Sequence, residues 1–344
     1  MDTQITFYDK DYKKVCSRIG WSLVIFTVLF RVLSAIVEPL AVALSRGMTG
    51  DGVYTVYSLI EIASYLSSFL IPSFLLMIFL RCGGVFERCG YSLKVERRAL
   101  WLIPATIMVA LLVAQLNTRI MDGFGVNEIY SALMSEDTGA YSGYQIVLLY
   151  ISSALVPAFC EELFFRGRIL ANLMPYGKTG AVIISALLFA LMHQNPYQIL
   201  YTAAAGIMLG MIYVKTGSIW LGTVIHFLNN AYSVTLDVLY TNVGGFAADV
   251  ISLSAFLLLI ALGIFGFVRY LVLDKRERAK KFDGGFFGGD VSLGSKFAEK
   301  PISKRCGLKG FFRPSINIYI VICVVEMVLV ILGLMLITAL GGSV

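Results

Sequence analysis

Apolar runs of about twenty residues recur along the chain, separated by short polar or charged stretches. A helix needs about 20 such residues to cross the hydrocarbon core of a bilayer. Nine segments reach that length, at about 20–44, 54–80, 99–117, 144–165, 179–195, 197–214, 218–238, 250–268 and 316–340. The pattern predicts an all-α integral membrane protein, a polytopic bundle of about nine transmembrane helices forming one membrane domain over residues 1–344. The first segment follows "DKDYKKVCSR" and has no small-residue cleavage site after it. It reads as a retained anchor and not as a removable signal peptide.

Composition agrees. Of 344 residues, 58% are hydrophobic and 15% charged, against about 25% charged in a soluble globule. The mean hydropathy is +0.80. The six cysteines are scattered without a CxxC spacing, which argues against a disulfide framework or a zinc ribbon.

Charge then orients the bundle. Lys and Arg number four before the first segment, five at 81–98, three at 166–178, one at Lys215 and twelve at 269–315. Each intervening loop carries one or none. Cytoplasmic loops hold the Lys/Arg excess, so the N-terminus is expected inside and the C-terminus outside. The basic loop at about 269–315 includes "DKRERAKK" and "FDGGFFGGD". It is expected to be flexible, cytoplasmic and close to anionic headgroups. No internal repeat and no matched pair of broken helices is evident, although many transporters have them.

Ionisable groups inside a span are costly and mark function by default. Glu38 and Asp237 lie near the outer ends of their segments. Arg31, Glu61 and Glu326 lie deeper, and a structural ion pair across helices accounts for them. The segments around 160, 190 and 228 differ, because they hold three compact patterns: "EELFFR" (Glu161 to Arg166), "FALMH" (Phe189 to His193) and "HFLNN" (His226 to Asn230).

On a helix Glu162 and Arg166 share a face four residues apart, with the acid on the favourable N-terminal side. Glu161 is turned about 100° away. It either pairs with Arg168 or Arg31, or stands without its own cation, poised to accept a proton from water. His193 precedes the "NP" at 195–196. A residue before proline resists the helical region, so the helix is expected to end near Asn195. The two segments around that junction are short for full crossings. The junction is therefore expected at depth, with His193 beside a cavity. His226 and Asn230 share a face of the seventh segment, either as interhelical hydrogen bonders or as two donors to one developing oxyanion. Both histidines of the chain, the glutamate pair and an arginine fall within 161–230. A base, a water site and two donors are what amide hydrolysis requires.

These patterns resemble the three motifs of the CAAX protease and bacteriocin-processing family of intramembrane proteins: EExxxR, FxxxH and HxxxN. The lead "TGSIWLGTVIH" is similar to the usual approach to the third motif. The resemblance covers about residues 145–236, an expected catalytic core. It implies an intramembrane endopeptidase whose site lies within the bilayer and opens toward the cytoplasm. It implies a membrane-associated or prenylated CAAX-type protein or peptide as substrate. It assigns Glu161 as the base that activates water and Glu162 with Arg166 as the pair that holds the helix and its charge balance. His193 binds or polarises the water, and His226 and Asn230 stabilise the oxyanion. No cofactor is preferred. A zinc ion on His193, His226 and a glutamate is the alternative, since three protein ligands suffice for catalytic zinc and no HExxH occurs.

A proton-coupled transporter using Glu161 and the histidines as a relay is a competing reading, as is a non-catalytic peptide-binding or immunity protein of the same fold. The expected partners are a peptide or protein substrate and the lipid bilayer, with no nucleic acid. The expected location is a bacterial cytoplasmic membrane, as a multi-pass protein.

Overall fold

A computed structural model describes residues 2–80, 95–123, 139–195, 198–283, 320–325 and 328. The described residues are helical almost throughout. Eight helices follow in order: α1 Asp2–Leu44, α2 Asp51–Leu80, α3 Leu102–Gly123, α4 Gly143–Tyr176, α5 Lys178–Met192, α6 Ile199–Thr216, α7 Ile219–Asn242 and α8 Gly245–Asp283. Residues 320–325 are helical as well, with Cys323 buried. Among the described residues six helices are long and apolar enough to cross a membrane, at α1, α2, α3, α4, α6 and α8, and α5 is a shorter apolar helix. The protein is an integral, multi-pass, all-α membrane protein. Most of the expected ninth span at 316–340, with Glu326, and the glycine-rich part of the basic loop lie outside the described residues.

Three expected boundaries move. The first helix begins at Asp2 and not near residue 20. The fourth segment does not stop near 165 but continues to Tyr176, 34 residues in all. Arg166 and Arg168 did not mark an interface, because both are buried in the bundle and no proline follows Pro157 before Pro175. Likewise, residues 269–283 of the expected flexible loop are the end of α8. Arg, Lys and Glu are good helix formers, and the turn is anchored: Arg98 Nη1 lies 3.0 Å from Asp274 Oδ1, and the Arg269 guanidinium sits 5.7 Å above the Trp101 ring.

α1 and α2 form an antiparallel hairpin. Ser22 Oγ donates to the Pro72 carbonyl at 3.0 Å. Aromatic rings lock this pair onto α4, with Phe26 and Phe69 4.7 Å apart and Phe69 edge-on to Phe164 at 5.9 Å.

α4 begins at a capping box, where Ser142 Oγ accepts from Gln145 N and the Gln145 side chain accepts from Ser142 N. Its winding then loosens into π-helical turns at Ile151–Leu155 and Phe165–Leu170. Pro157 accounts for the first. It offers no N–H and its ring crowds the carbonyl four residues back, so the turn before it widens. Such π segments often sit at functional sites, and here they bracket Val156–Phe164, which carries both glutamates.

α5 has 15 residues, about 22 Å of rise, too short for the roughly 30 Å hydrocarbon core. Its C-cap is His193, close to the end expected from "NP". Gln194 then takes a positive φ of 48°, and Arg31 donates to its side-chain oxygen. The N–H groups of His193 and Gln194 donate to the Ala190 and Leu191 carbonyls, as irregular backbone at depth must find protein partners. α6 packs on α5 through Gly206 and Gly210. A Cβ at Gly206 would stand 3.0 Å from Ala186 Cα, and one at Gly210 would stand 3.2 Å from Val182 Cγ1. Small residues four apart permit this close approach in membranes.

Candidate active site

The three sequence patterns meet. α4 brings Glu161 and Glu162, the end of α5 brings His193, and α7 brings His226 and Asn230. Glu161, His193, His226 and Asn230 line one cavity of about 440 Å³. Glu162 and Arg166 lie behind its wall, 0% and 1% exposed.

Arg166 Nη1 lies 2.8 Å from Glu162 Oε1, the pair that the four-residue spacing requires. Arg166 also donates from Nη2 to the Gly206 carbonyl at 3.2 Å and lies 4.6 Å above the centre of the Phe189 ring. The guanidinium thus ties α4 to α5 and α6. The other oxygen of Glu162 faces Gly222, where a Cβ would stand 3.0 Å away. The glycine lets α7 approach the glutamate.

His226 lies between the two glutamates. Its Nδ1 is 3.0 Å from Glu162 Oε1, and its Nε2 is 3.6 Å from Glu161 Oε2. A carboxylate only accepts, so Nδ1 carries a proton and donates to Glu162. Glu162 therefore does more than balance Arg166, because it also sets the angle of the His226 ring.

Glu161 is 4% exposed. Its Oε1 accepts from the Tyr65 hydroxyl of α2. Its Oε2 has no hydrogen-bond partner among the described residues and faces His226 Nε2. Neither Arg168 nor Arg31, the cations that sequence left open, forms an ion pair with it among the described residues. His193 Nδ1 lies 2.9 Å from the Phe189 carbonyl. That oxygen can only accept, so Nδ1 bears the proton and Nε2 of the neutral ring keeps its lone pair. The FxxxH spacing thus does two things: it places the Phe189 ring under Arg166, and it supplies the carbonyl that fixes the His193 tautomer.

Asn230 is neighboured by Asn229, whose Nδ2 donates to the Tyr201 hydroxyl and lies 3.5 Å from Asn230 Oδ1. Tyr65, Tyr201 and Asn229 were not found by reading the sequence. Tyr65 stands in α2, nearly a hundred residues from Glu161; Glu61 four residues before it and Ser64, Ser67 and Ser68 beside it were the local polar signal. Asn229 is the first of the two asparagines in "HFLNN", and it was available as a signal.

Zinc would need convergent donors. Among the described residues, no group of three or more His, Cys, Asp or Glu is arranged to hold a metal ion. Each histidine has its Nδ1 committed to an oxygen of the protein, which leaves Nε2 as the nitrogen either could offer to a ligand.

A family model described as type II CAAX prenyl endopeptidase Rce1-like matches residues 143–232. This segment is about a quarter of the chain and holds all three motifs. The match is consistent with the CAAX protease and bacteriocin-processing family that the motifs resemble. No curated protein and no solved structure matches the chain.

Proposed function

We propose that the protein is an intramembrane endopeptidase that hydrolyses a peptide bond of a membrane-associated or prenylated, CAAX-type protein or peptide with a glutamate-activated water. The similarity of residues 143–232 to CAAX prenyl endopeptidases supports a protease of this type. The observation that carries the mechanism is the state of Glu161. One oxygen is held by Tyr65, and the other faces the cavity and His226 without a hydrogen bond of its own.

In this reading Glu161 Oε2 accepts a proton from water while the water oxygen bonds to the substrate carbonyl carbon. His193 orients that water through Nε2, whose lone pair accepts one of its O–H groups. Negative charge develops on the carbonyl oxygen. His226 in its imidazolium form donates from Nε2, and Asn230 donates from its amide; two fixed donors at that point stabilise the transition state. Glu161 then passes its proton to the leaving nitrogen as the C–N bond breaks. Glu162 and Arg166 act indirectly, by orienting His226 and joining α4, α5 and α6.

The test is mass spectrometry of membrane and secreted peptides from cells expressing the chain or its Glu161→Gln variant. Peptides whose appearance requires Glu161 are the expected result. Identical peptide profiles would leave a proton-coupled carrier or a non-catalytic binder as the better account. Cleavage is expected to survive a strong chelator. Loss of cleavage on chelation, restored by zinc, would recast His193 and His226 as ligands.

A further inference from the structure

The two ends of the bundle differ in chemistry, and the contacts themselves identify which residues share an end. At one end Asp274 holds Arg98 at 3.0 Å and Lys215 at 4.0 Å, and Arg269 stacks on Trp101. At the other end Ser142 donates to Asp51 at 2.9 Å, Tyr141 donates through its backbone N–H to Asn242 at 2.9 Å and through its hydroxyl to Asp237 at 3.2 Å, and Tyr240 donates to Asp249 at 3.1 Å. The first end is basic, the second acidic and tyrosine-rich.

The cavity is not symmetric between them. One wall is a stripe along α7, His226, Asn230, Ser233 and Asp237, spaced at i, i+4, i+7 and i+11 and so on one helical face. The facing wall is a stripe along α4, Leu149, Ser153, Pro157 and Glu161. Both stripes run from the glutamate–histidine cluster toward the acidic end; His226 to Asp237 alone is about 16 Å of helix. Toward the basic end the same helices are packed solid. Glu162, Phe164, Phe165 and Leu170 of α4 are fully buried, as is Ser218 at the start of α7, with Ile219 and Leu221 nearly so. No Lys or Arg lines the cavity, and Asp237 stands at its far end.

Cytoplasmic surfaces carry the Lys/Arg excess, which places the basic end inside. We infer that the cluster is reached from the extracytoplasmic side, along the α4 and α7 stripes, and that it takes an extracytoplasmic peptide segment bearing a Lys or Arg that Asp237 meets at the mouth. This departs from the cytoplasmic opening that the family resemblance implies. The inference rests on the peptidase reading only for the nature of the occupant; the direction of access stands on geometry and charge.

The experiment labels single cysteines in spheroplasts of a bacterial host expressing the full chain. Cys82, Cys89 and Cys306 are changed to Ser, and the buried Cys16, Cys160 and Cys323 are kept. The probes are two membrane-impermeant methanethiosulfonates, one bearing trimethylammonium and one bearing sulfonate. Ser233→Cys is the reporter, and Ser153→Cys on the facing wall is the second in case the first misfolds. Phe246→Cys, at a position 83% exposed on the acidic end, is the open control; Lys275→Cys reports the basic end. Ser233→Cys is expected to react in intact spheroplasts while Lys275→Cys reacts only after permeabilisation. The cationic probe is expected to be favoured over the anionic one by about tenfold relative to Phe246→Cys, the low end of electrostatic focusing in a cleft. Asp237→Asn should remove most of that preference. Reaction of both cavity cysteines only after permeabilisation, or no reaction in either state, overturns the direction of access. A preference unchanged by Asp237→Asn overturns the role of Asp237. Labelling needs no cleavage, so a labelled cavity in a protein with no peptidase activity sinks the proposed function alone.

Discussion

Glu161 and Glu162 are neighbours in sequence, yet they stand on opposite sides of a wall. Behind it, Glu162 is wholly buried: Arg166 at 2.8 Å and His226 Nδ1 at 3.0 Å share its Oε1, while Oε2 lies against Gly222 with no hydrogen bond among the described residues. In front of it, Glu161 has a tyrosine on one oxygen and a cavity before the other. The 100° that separates successive residues on a helix is enough to give one carboxylate an arginine and turn the other toward the cavity. The comparison also shows that the two sides are connected, since His226 touches Glu162 with one nitrogen and faces Glu161 with the other. A change behind the wall should therefore reach the chemistry in front of it through that ring.

The strongest break is Glu161→Gln. The amide keeps the shape but cannot take a proton from water, so cleavage should fall to background while expression and thermal stability stay near those of the parent. Retention of most activity would show that the two glutamates have been assigned the wrong way round.

Arg166→Ala acts on the other side. It leaves Glu162 as a buried charge held only by His226, and breaking a buried pair costs about 3–5 kcal/mol. It also removes the Arg166 bond to Gly206 and its contact with Phe189. Melting temperature in detergent should drop sharply, and residual cleavage should be low because His226 loses a fixed Glu162. Unchanged melting would mean that the pair is not what secures α4.

If His226 and Asn230 stabilise the oxyanion as proposed, His226→Ala and Asn230→Ala should each cost about 10²–10³ in kcat, the loss of one donor. If both serve one oxygen, the double variant should lose less than the product of the singles. A full product would place the two groups in separate steps. Tyr65→Phe is the mildest test. It removes one hydrogen bond to a carboxylate, worth about 1.5–3 kcal/mol, and leaves the ring packed against Phe69, 4.9 Å away. A ten- to hundredfold loss of kcat, about what that energy converts to, with little change in KM would identify Tyr65 as a positioning residue for Glu161; a change in stability alone would make it structural.

Much of this protein is local, and the local part was readable from its residues. Membrane helices satisfy their backbone within the segment, so apolar run lengths gave helices without knowledge of neighbours. The i, i+4 geometry joined Glu162 to Arg166 and put His226 beside Asn230, and "NP" ended α5 close to where it ends. Boundaries that depend on partners were misread. α4 runs past two arginines because the bundle buries them, and α8 extends to Asp283 because Arg98 and Trp101 receive its polar turns.

Tertiary structure alone decided what faces what. Tyr65 reaches Glu161 from α2, and Glu162 captures the ring of His226, which spacing had grouped only with Asn230. The cavity runs toward the acidic end because the α4 and α7 stripes face each other there and their other ends are packed shut. Spacing fixes which residues share a face of one helix; which helix that face meets depends on how the helices pack, and that is settled by side-chain size at points such as Gly206, Gly210 and Gly222, far from one another in the chain and close together only when it is folded.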